Sequence, residues 1–225
     1  MLEQVAGGAA EFVAPSNRGI KHHAHEPAYV MGEIAGEMTT SNVIGTVSTF
    51  PAEDTNDQIN AFVAGARAVN PEVKHKITYI QSWYDPTKSN EATSAQIAAG
   101  ADMIYQMSGA FEVCAEKQIG CFGNYVDVSP AAPEAIVASA IVKWDPHINW
   151  IIDEWWNAKT TGAAFSAPKE PKWFSMAEGS GEVAINPVWA AKMPEDVTKM
   201  VEDSTAAILS GATAVELNLS EVVSD

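Results

Sequence analysis

Hydrophobic and polar positions follow two different periods along the middle of the chain. Short runs rich in β-branched and aromatic residues predict four strands, at residues 42–49, 75–82, 101–106 and 119–125. Between these runs, apolar residues recur at helical spacing and predict helices near residues 56–69, 90–99 and 110–117. Strands separated by helices of about ten residues indicate βαβ units with right-handed crossovers. The pattern therefore predicts the α/β class, with a parallel sheet covered by helices on both faces.

Local signals mark where the predicted elements begin and end. Asn70-Pro71 ends the first helix, because proline disfavours helical geometry in the residue before it. Ser89 is the expected N-cap of the second helix, and Gly100 is expected to end it. After Asp127 the regular alternation of strands and helices ends. The sequence then predicts a strand at 134–142, a tryptophan-rich helix at 145–158, a mixed segment at 159–187 and a last helix from Pro194 to Gly211.

The charge balance narrows the range of functions. The 225 residues include 29 acidic and 13 basic side chains, which give a net charge of −16 at pH 7. Nucleic-acid binding depends on Lys and Arg against phosphates, and the few basic residues form no stripe, so we exclude it. No run approaches the ~18 uninterrupted apolar residues of a membrane span. The first residues also lack the basic and apolar regions of a signal peptide.

Residue patterns typical of catalysis are mostly absent from the sequence. There is no GxxxxGK[ST] phosphate loop, no HExxH pair, no GxSxG elbow and no GxGxxG motif after a strand. Cys114 and Cys121 are too few for a disulfide framework and lack CxxC spacing, so we expect two small, buried, apolar side chains. We predict no catalytic residue and no cofactor.

The strongest local cluster of ligating side chains is formed by His22, His23, His25 and Glu26. Three imidazoles and a carboxylate could hold Zn²⁺ or Ni²⁺. Tetrahedral sites usually draw their ligands from separate elements, however, and adjacent histidines diverge in an extended segment. We therefore expect a solvent-facing connecting strand and predict no metal ligand, with a metal site as the alternative.

Aromatic and polar residues follow each of the predicted parallel strands. In an open parallel sheet, ligands bind outside the carboxyl ends of the strands. An aromatic face combined with a carboxylate and amides suits a planar, hydroxylated ligand. Packing of the aromatic rings into the core is the alternative. The predicted ligand-binding residues are Phe50, Trp83, Gln106, Asn124 and Asp127.

Several multi-residue motifs occur in a fixed order along nearly the whole chain. They are EPAYVMGEIAG at 26–36, NAF at 60–62, GAR at 65–67, SWYDP at 82–86, GADMI at 100–104, and FG at 122–123 with Asp127. These motifs resemble those of the basic membrane protein (Bmp) family. Its members are substrate-binding proteins of ABC importers and include purine-nucleoside receptors.

The resemblance implies a type I periplasmic-binding-protein fold, in which two Rossmann-like lobes with parallel sheets close over a ligand. Residues 26–128 would form the complete second lobe. Residues 1–25 and 129–225 would supply the hinge crossings, the C-terminal helix and the remnant of an incomplete first lobe. By position in the family, Gln106 and Asp127 would meet the ligand, although Met107 and Gly109 depart from the polar residues common there.

The function implied by the resemblance is that of an extracytoplasmic solute receptor of an ABC importer. It would bind a nucleoside or a related small molecule and deliver it to an ABC permease. The protein would lie in the periplasm or at the outer face of the cell membrane, held by a lipid anchor absent from this chain. The alternatives are an α/β enzyme acting on nucleosides through carboxylates such as Asp85 and Asp127, and the sensor domain of a transcription regulator.

Overall fold

The computed structural model describes residues 20–163 and 172–225. Its strands are β1 (Ile20–His22), β2 (Val43–Ser48), β3 (Lys74–Tyr79), β4 (Met103–Gln106), β5 (Gly120–Tyr125), β6 (Ile136–Val142), β7 (Lys172–Phe174) and β8 (Gly181–Ile185). Its helices are α1 (His25–Met38), α2 (Glu53–Val69), α3 (Pro86–Ala98), α4 (Glu112–Lys117), α5 (Asp145–Thr161), α6 (Pro187–Ala190) and α7 (Glu195–Leu209). Two short 3-10 helices, η1 (Ser129–Ala131) and η2 (Met176–Glu178), complete the described elements.

One six-stranded sheet organises most of these elements, in the order β3-β2-β4-β5-β6-β8. The first five strands pair in parallel, and β8 runs antiparallel to β6. The predicted α/β class, with its mostly parallel sheet, is confirmed. The strand β8 lies in the segment 159–187, for which the sequence predicts only a mixed region.

Alternating side chains of the central strands fill a separate core on each face of the sheet. Tyr105 and Phe122 face the layer of α1 and α2, where they pack with Phe62. The adjoining Ile104 and Cys121 belong to the second core, beside α3 and α4. Because successive residues of a strand point to opposite faces, two buried faces require continuous apolar runs. Residues 103–105 in β4 are a run of this kind.

Helices α1 and α2 pack with their backbones in close approach. A Cβ atom added to Gly32 would lie 2.0 Å from the carbonyl oxygen of Phe62. A Cβ atom added to Gly65 would lie 2.0 Å from the carbonyl oxygen of Tyr29. Only glycine fits at these two positions, so the GxxAG and GAR motifs of the sequence are explained by helix packing.

The start of α3 corrects one expected helix cap. The helix begins at Pro86, and the carboxylate of Asp85 accepts a hydrogen bond from the backbone N–H of Lys88 at 3.0 Å. Ser89, the expected N-cap, lies inside the helix and is buried. Proline is well suited to the first helical position, since its missing N–H has no intrahelical partner there. The Asp85-Pro86 pair therefore marks the start of α3, and Ser89 does not.

The two cysteines are buried as expected, but they are not independent apolar residues. Cys114 in α4 and Cys121 in β5 form a disulfide, with their Cα atoms 6.3 Å apart. The expectation of two unpaired thiols is therefore wrong. Their seven-residue separation brings them together because α4 is short and the chain reverses directly into β5.

A second, two-stranded sheet joins β1 to β7 in parallel beside the main sheet. The expectation of a solvent-facing strand through residues 22–26 is wrong, because the chain turns into α1 at His25. The side chain of His25 is only 1% exposed. Among the described helices, none combines the length and apolar character needed to cross a membrane.

The proposed lobe boundary at residue 128 does not coincide with an edge of the main sheet. Both β6 and β8 follow residue 128 and still belong to that sheet. In contrast, α5 leaves the sheet and exposes the apolar side chains of Ile148, Ile152, Trp155 and Trp156. Their helical spacing places them along one stripe. The division into two lobes stays a proposal.

The C-terminal residues cover the outer edge of β3. The backbone N–H of Asp225 donates to the carbonyl of His75 at 3.0 Å, and the N–H of Ile77 donates to Ser224 Oγ at 2.9 Å. The side-chain amide of Asn60 in α2 donates to the carbonyls of Asn218 and Ser220, each at 2.9 Å. An edge strand with unpaired backbone groups can pair with other chains. This segment satisfies those groups.

His75 is the buried titratable group of this edge. Its Nε2 lies 2.8 Å from Thr46 Oγ1 on the adjacent strand. Burial lowers the pKa of His75 from 6.5 to about 4, and the charges of Arg67 and Lys76 add to this against the opposing charge of Asp225. The folded state therefore favours the neutral ring, and this contribution to stability is lost as the pH falls from about 6.5 through about 4.

We expect His75→Gln to flatten the acid side of the stability profile. The wild-type free energy of unfolding should fall by about 2–3 kcal/mol more between about pH 7 and about pH 4.5 than that of the variant, since a pKa shift of one unit is worth about 1.4 kcal/mol. Urea unfolding at the two pH values measures this difference. Equal losses in both proteins would show that His75 does not carry the effect.

Candidate functional site

The strand order reverses direction between β2 and β4. From β2 the chain moves outward to β3 and then returns to place β4 on the other side of β2. Val47 pairs with Gln106 across the two strands, and the N–H of Met107 donates to the carbonyl of Val47 at 2.9 Å. In open α/β sheets, the crevice outside the carboxyl ends at such a reversal is the usual ligand site.

The loops at this carboxyl edge expose an unusual amount of apolar surface. Trp83 and Tyr84, which follow β3, are 63% and 73% exposed. Val126 after β5 and Trp144 after β6 are also exposed. Large exposed apolar groups that cluster at one edge mark a binding surface more often than a solvated one. We name these four residues, together with Phe50, the aromatic rim.

Phe50 and Trp83 are brought together by the structure. Their ring centroids lie 5.0 Å apart, and their planes are tilted by 57°. Phe50 follows β2 and is half-buried, so it supports Trp83 from the sheet side of the contact. Trp83 therefore presents a ring to solvent while resting on a second ring, which is a suitable geometry for stacking a planar group.

Gln106 lies at the predicted edge, but its side chain is fully buried. Its Nε2 donates to Thr93 Oγ1 in α3 at 2.9 Å, and its Oε1 accepts hydrogen bonds from the N–H and the hydroxyl of Ser108 at 3.1 and 2.5 Å. Ser89 Oγ donates to Ser108 Oγ at 2.5 Å and extends the network to α3. Gln106 thus holds the loop after β4 in place from below rather than facing solvent.

The end of β5 carries Asn124 and Asp127 in different environments. Asn124 is half-buried, whereas Asp127 is exposed. One oxygen of Asp127 accepts the backbone N–H of Ser129 at 2.9 Å, which fixes the turn into η1. The carboxylate is therefore oriented by the turn and still accessible to a ligand.

Tyr125 lies between these two residues and has an unusual backbone conformation at the end of β5. Its φ of +67° lies in the left-handed region that bulky residues rarely adopt. Its phenol oxygen accepts a hydrogen bond from Gln58 Nε2 in α2 at 3.2 Å, and Gln58 Oε1 accepts one from Tyr105 at 3.0 Å. Burial raises the pKa of Tyr125 to about 12, so the phenol stays neutral. The network ties the start of α2 to the ends of β4 and β5.

The sequence analysis did not identify two other groups of this edge, and the first is the pair of hydroxyl residues Ser48 and Thr49. Ser48 and Thr49 at the end of β2 are buried, and within residues 20–163 and 172–225 their hydroxyl oxygens have no hydrogen-bond partner. In the sequence, this pair could have been identified as two consecutive hydroxyl residues at the end of a predicted strand.

Lys143 is the second group that the sequence analysis did not identify. It follows β6, two residues beyond Ile141, which pairs with Tyr125. It therefore lies at the same edge as Asp127, and it forms an ion pair with Glu182 of β8. A lysine directly after a buried strand was the signal for it.

Comparison with known proteins identifies a family model that matches more than half of the chain. The family model Bmp, described as ABC transporter substrate-binding protein PnrA-like, matches residues 17–165. This range includes the aromatic rim, α1 and every parallel strand of the main sheet. The structural frame of the candidate site is therefore the part of the chain that the family model covers.

Two curated relatives show how far the sequence similarity extends. A purine-binding protein of Brucella abortus is 30% identical over 194 residues, which are 83% of this chain and 51% of the relative. A candidate ABC-transporter glucose-binding protein of Haloferax volcanii is 30% identical over 151 residues, or 61% of this chain and 39% of the relative. The chain thus spans about half the length, or less, of these relatives.

A solved structure supports the fold. The solute-binding protein of an ABC transporter system from Aeropyrum pernix superposes with a TM-score of 0.69 over 88% of this chain and 66% of its own, at 15% identity. At that identity the similarity concerns architecture alone. The fold is that of type I periplasmic-binding proteins, as the sequence motifs imply.

We expect Gln106→Leu to destabilise the chain by about 2–3 kcal/mol, because it leaves the buried backbone N–H and the hydroxyl hydrogen of Ser108 without their acceptor. Urea unfolding measures the change. Asn149→Ala, which removes an exposed amide from α5, is the control and should change stability by less than about 0.5 kcal/mol. Similar small effects in both variants would show that the Gln106 network does not support the loop.

Proposed function

The chain belongs to the Bmp family of PnrA-like ABC-transporter substrate-binding proteins, and on that premise we propose that its aromatic rim binds a purine base or nucleoside for import. The observation that carries the proposal is the exposure of Trp83, supported by Phe50, at the strand-order reversal. Monomeric proteins rarely leave such a surface open without a partner for it.

The chemistry of the rim suits a flat heterocycle that carries hydroxyl groups. A purine ring can stack on Trp83, since aromatic rings prefer offset or tilted contacts a few ångströms apart. The exposed carboxylate of Asp127 can accept hydrogen bonds from sugar hydroxyls, and bonds to a charged acceptor are roughly twice as strong as neutral ones. The B. abortus relative is named for purine binding, which supports this class of ligand.

We propose that the rim forms one wall of a cleft and that an opposite lobe forms the other. The apolar stripe on α5 supports this division, because Ile148, Ile152, Trp155 and Trp156 are exposed at the point where the chain leaves the main sheet. The small β1–β7 sheet lies on the same side of the hinge as α5 in this proposal. Closure of the two lobes would then remove both the stripe and the bound ligand from water.

The proposed setting is the extracytoplasmic side of a cell membrane, where the family's substrate-binding proteins meet an ABC permease. The buried Cys114–Cys121 disulfide supports this setting, since disulfides persist in oxidising compartments and are rare in reducing ones. In this role the protein binds and releases its ligand without chemical change.

Isothermal titration of the 225-residue chain with adenosine, guanosine, adenine and glucose tests the proposal. We expect purine compounds to bind and Asp127→Ala to weaken nucleoside binding by about 1–3 kcal/mol, through the loss of a charge-assisted hydrogen bond. Asp127→Asn keeps the acceptor for the Ser129 turn and should lose affinity for the nucleoside but not for the free base. Trp83→Ala should weaken both.

Asp203→Ala, which removes an exposed carboxylate from α7, is the matched control and should bind as the wild type does. The proposal fails if glucose binds in preference to purines. It also fails if Trp83→Ala and Asp127→Ala both keep the wild-type affinity.

A further inference from the structure

A second cluster of chemically active side chains lies away from the aromatic rim, where β1 passes into α1. His23, His25 and Glu26 each offer one atom that could bind a metal ion. These donor atoms lie within 4.8 Å of one another. The expectation that adjacent histidines diverge does not hold for His23 and His25, because the helix begins between them and turns the second ring back towards the first.

The geometry of the two rings shows this convergence. The ring centroids of His23 and His25 lie 4.9 Å apart, with their planes tilted by 55°. His23 also contacts the ring of Trp173 on β7, at 5.4 Å between centroids. The backbone N–H of His23 donates to the carbonyl of Phe174 at 2.8 Å, so its main chain is fixed to the same strand.

The carboxylate of Glu26 is held in position from outside the cluster. Its Oε2 accepts the backbone N–H of Met176 in η2 at 2.6 Å, while its Oε1 lies 3.2 Å from His23 Nδ1. Groups that bind the far side of a ligand orient it and reduce the entropy that coordination would otherwise cost. One oxygen is therefore fixed by the backbone, and the other faces the imidazoles.

The donor set has a definite preference among cations. Two neutral imidazoles and one carboxylate are ligands of Zn²⁺ and similar borderline transition metals, and they are poor ligands for Mg²⁺ or Ca²⁺. Around a tetrahedral Zn²⁺ with bonds of about 2.0–2.2 Å, neighbouring donors lie about 3.4 Å apart. The separation of 3.2 Å between His23 Nδ1 and Glu26 Oε1 is close to this value, and the donor atoms of all three residues lie within 4.8 Å of one another.

The electrostatic surroundings contain contributions of both signs. The pKa of Glu178 is lowered first by the backbone N–H of Ser175, and less by the charges of Lys172 and His23. The ammonium of Lys172 lies over the rings of Phe174 and Trp150. The net charge of −16 attracts cations to the protein as a whole.

We propose that His23, His25 and Glu26 form a Zn²⁺ site with three protein ligands and a fourth position open to water. The site joins the start of α1 to β7 and η2, so the metal links the small β1–β7 sheet to the helix that packs on the main sheet. In this position its role is structural: it fixes the crossing of the chain between the two sheets. The proposal is independent of the ligand that the aromatic rim binds.

Titration of the metal-free 225-residue chain with ZnCl₂ by calorimetry, followed by CoCl₂ with visible absorption, tests the site. We expect one Zn²⁺ per chain and a d–d spectrum with Co²⁺ of the intensity typical of four-coordinate sites. His23→Gln and Glu26→Gln should each weaken Zn²⁺ binding at least about tenfold, as changes at a ligand or its support commonly do. The glutamine of the second variant keeps an oxygen for the N–H of Met176.

Asp153→Asn on α5 serves as the control for general loss of negative charge and should leave the Zn²⁺ affinity unchanged. Circular dichroism without metal should show the same fold for all variants, and the melting temperature of each variant is compared with and without Zn²⁺, because His23→Gln and Glu26→Gln also remove the His23–Glu26 contact. Zn²⁺ should raise the melting temperature of the wild type and not that of the double variant His23→Gln/Glu26→Gln. Wild-type affinity in that double variant, or the lack of stoichiometric binding to the wild type, overturns the proposal.

Discussion

The parallel pairing of β2 with both β3 and β4 determines where the loops and the connecting helices lie. Because both neighbours run in the direction of β2, the carboxyl ends of all three strands lie at one edge. The connecting helices must then cross the faces, with α1 and α2 on one side and α3 and α4 on the other. The loops that carry Phe50 and Trp83 are neighbours for this reason alone, although 33 residues separate them in the sequence.

The elements of the main sheet could be predicted from the sequence because each follows one dominant physical signal. Strands buried on both faces need unbroken apolar runs, and amphipathic helices need apolar residues at helical spacing. Residues 56–69 show the helical spacing, and residues 42–49 carry Val43, Ile44 and Val47 as their apolar members. The two ranges lie within about three residues of α2 and β2. Features that depend on distant contacts could not be found in this way. The Cys114–Cys121 bond depends on how sharply α4 turns into β5, and spacing alone does not specify that turn.

The same distinction between local sequence patterns and distant contacts applies to the candidate site. The positions of Phe50 and Trp83 in the rim could be predicted, since both follow predicted strands and the edge of a parallel sheet brings such residues together. The burial of Gln106 could not, because it results from partners on α3, namely Thr93 and Ser89 through Ser108. The convergence of His23 and His25 also depends on a distant segment, since Met176 and Trp173 fix the cluster from more than a hundred residues away.

We propose that the carboxyl edge at the β2–β4 reversal binds the ligand. Backbone amide shifts in an NMR titration of the isotope-labelled chain with a purine nucleoside test it most directly. We expect the shifts to change at residues 48–50, 81–85, 107–109 and 124–127, which surround that edge. Changes confined to the opposite edge, at residues 99–102 and 118–120, would contradict it.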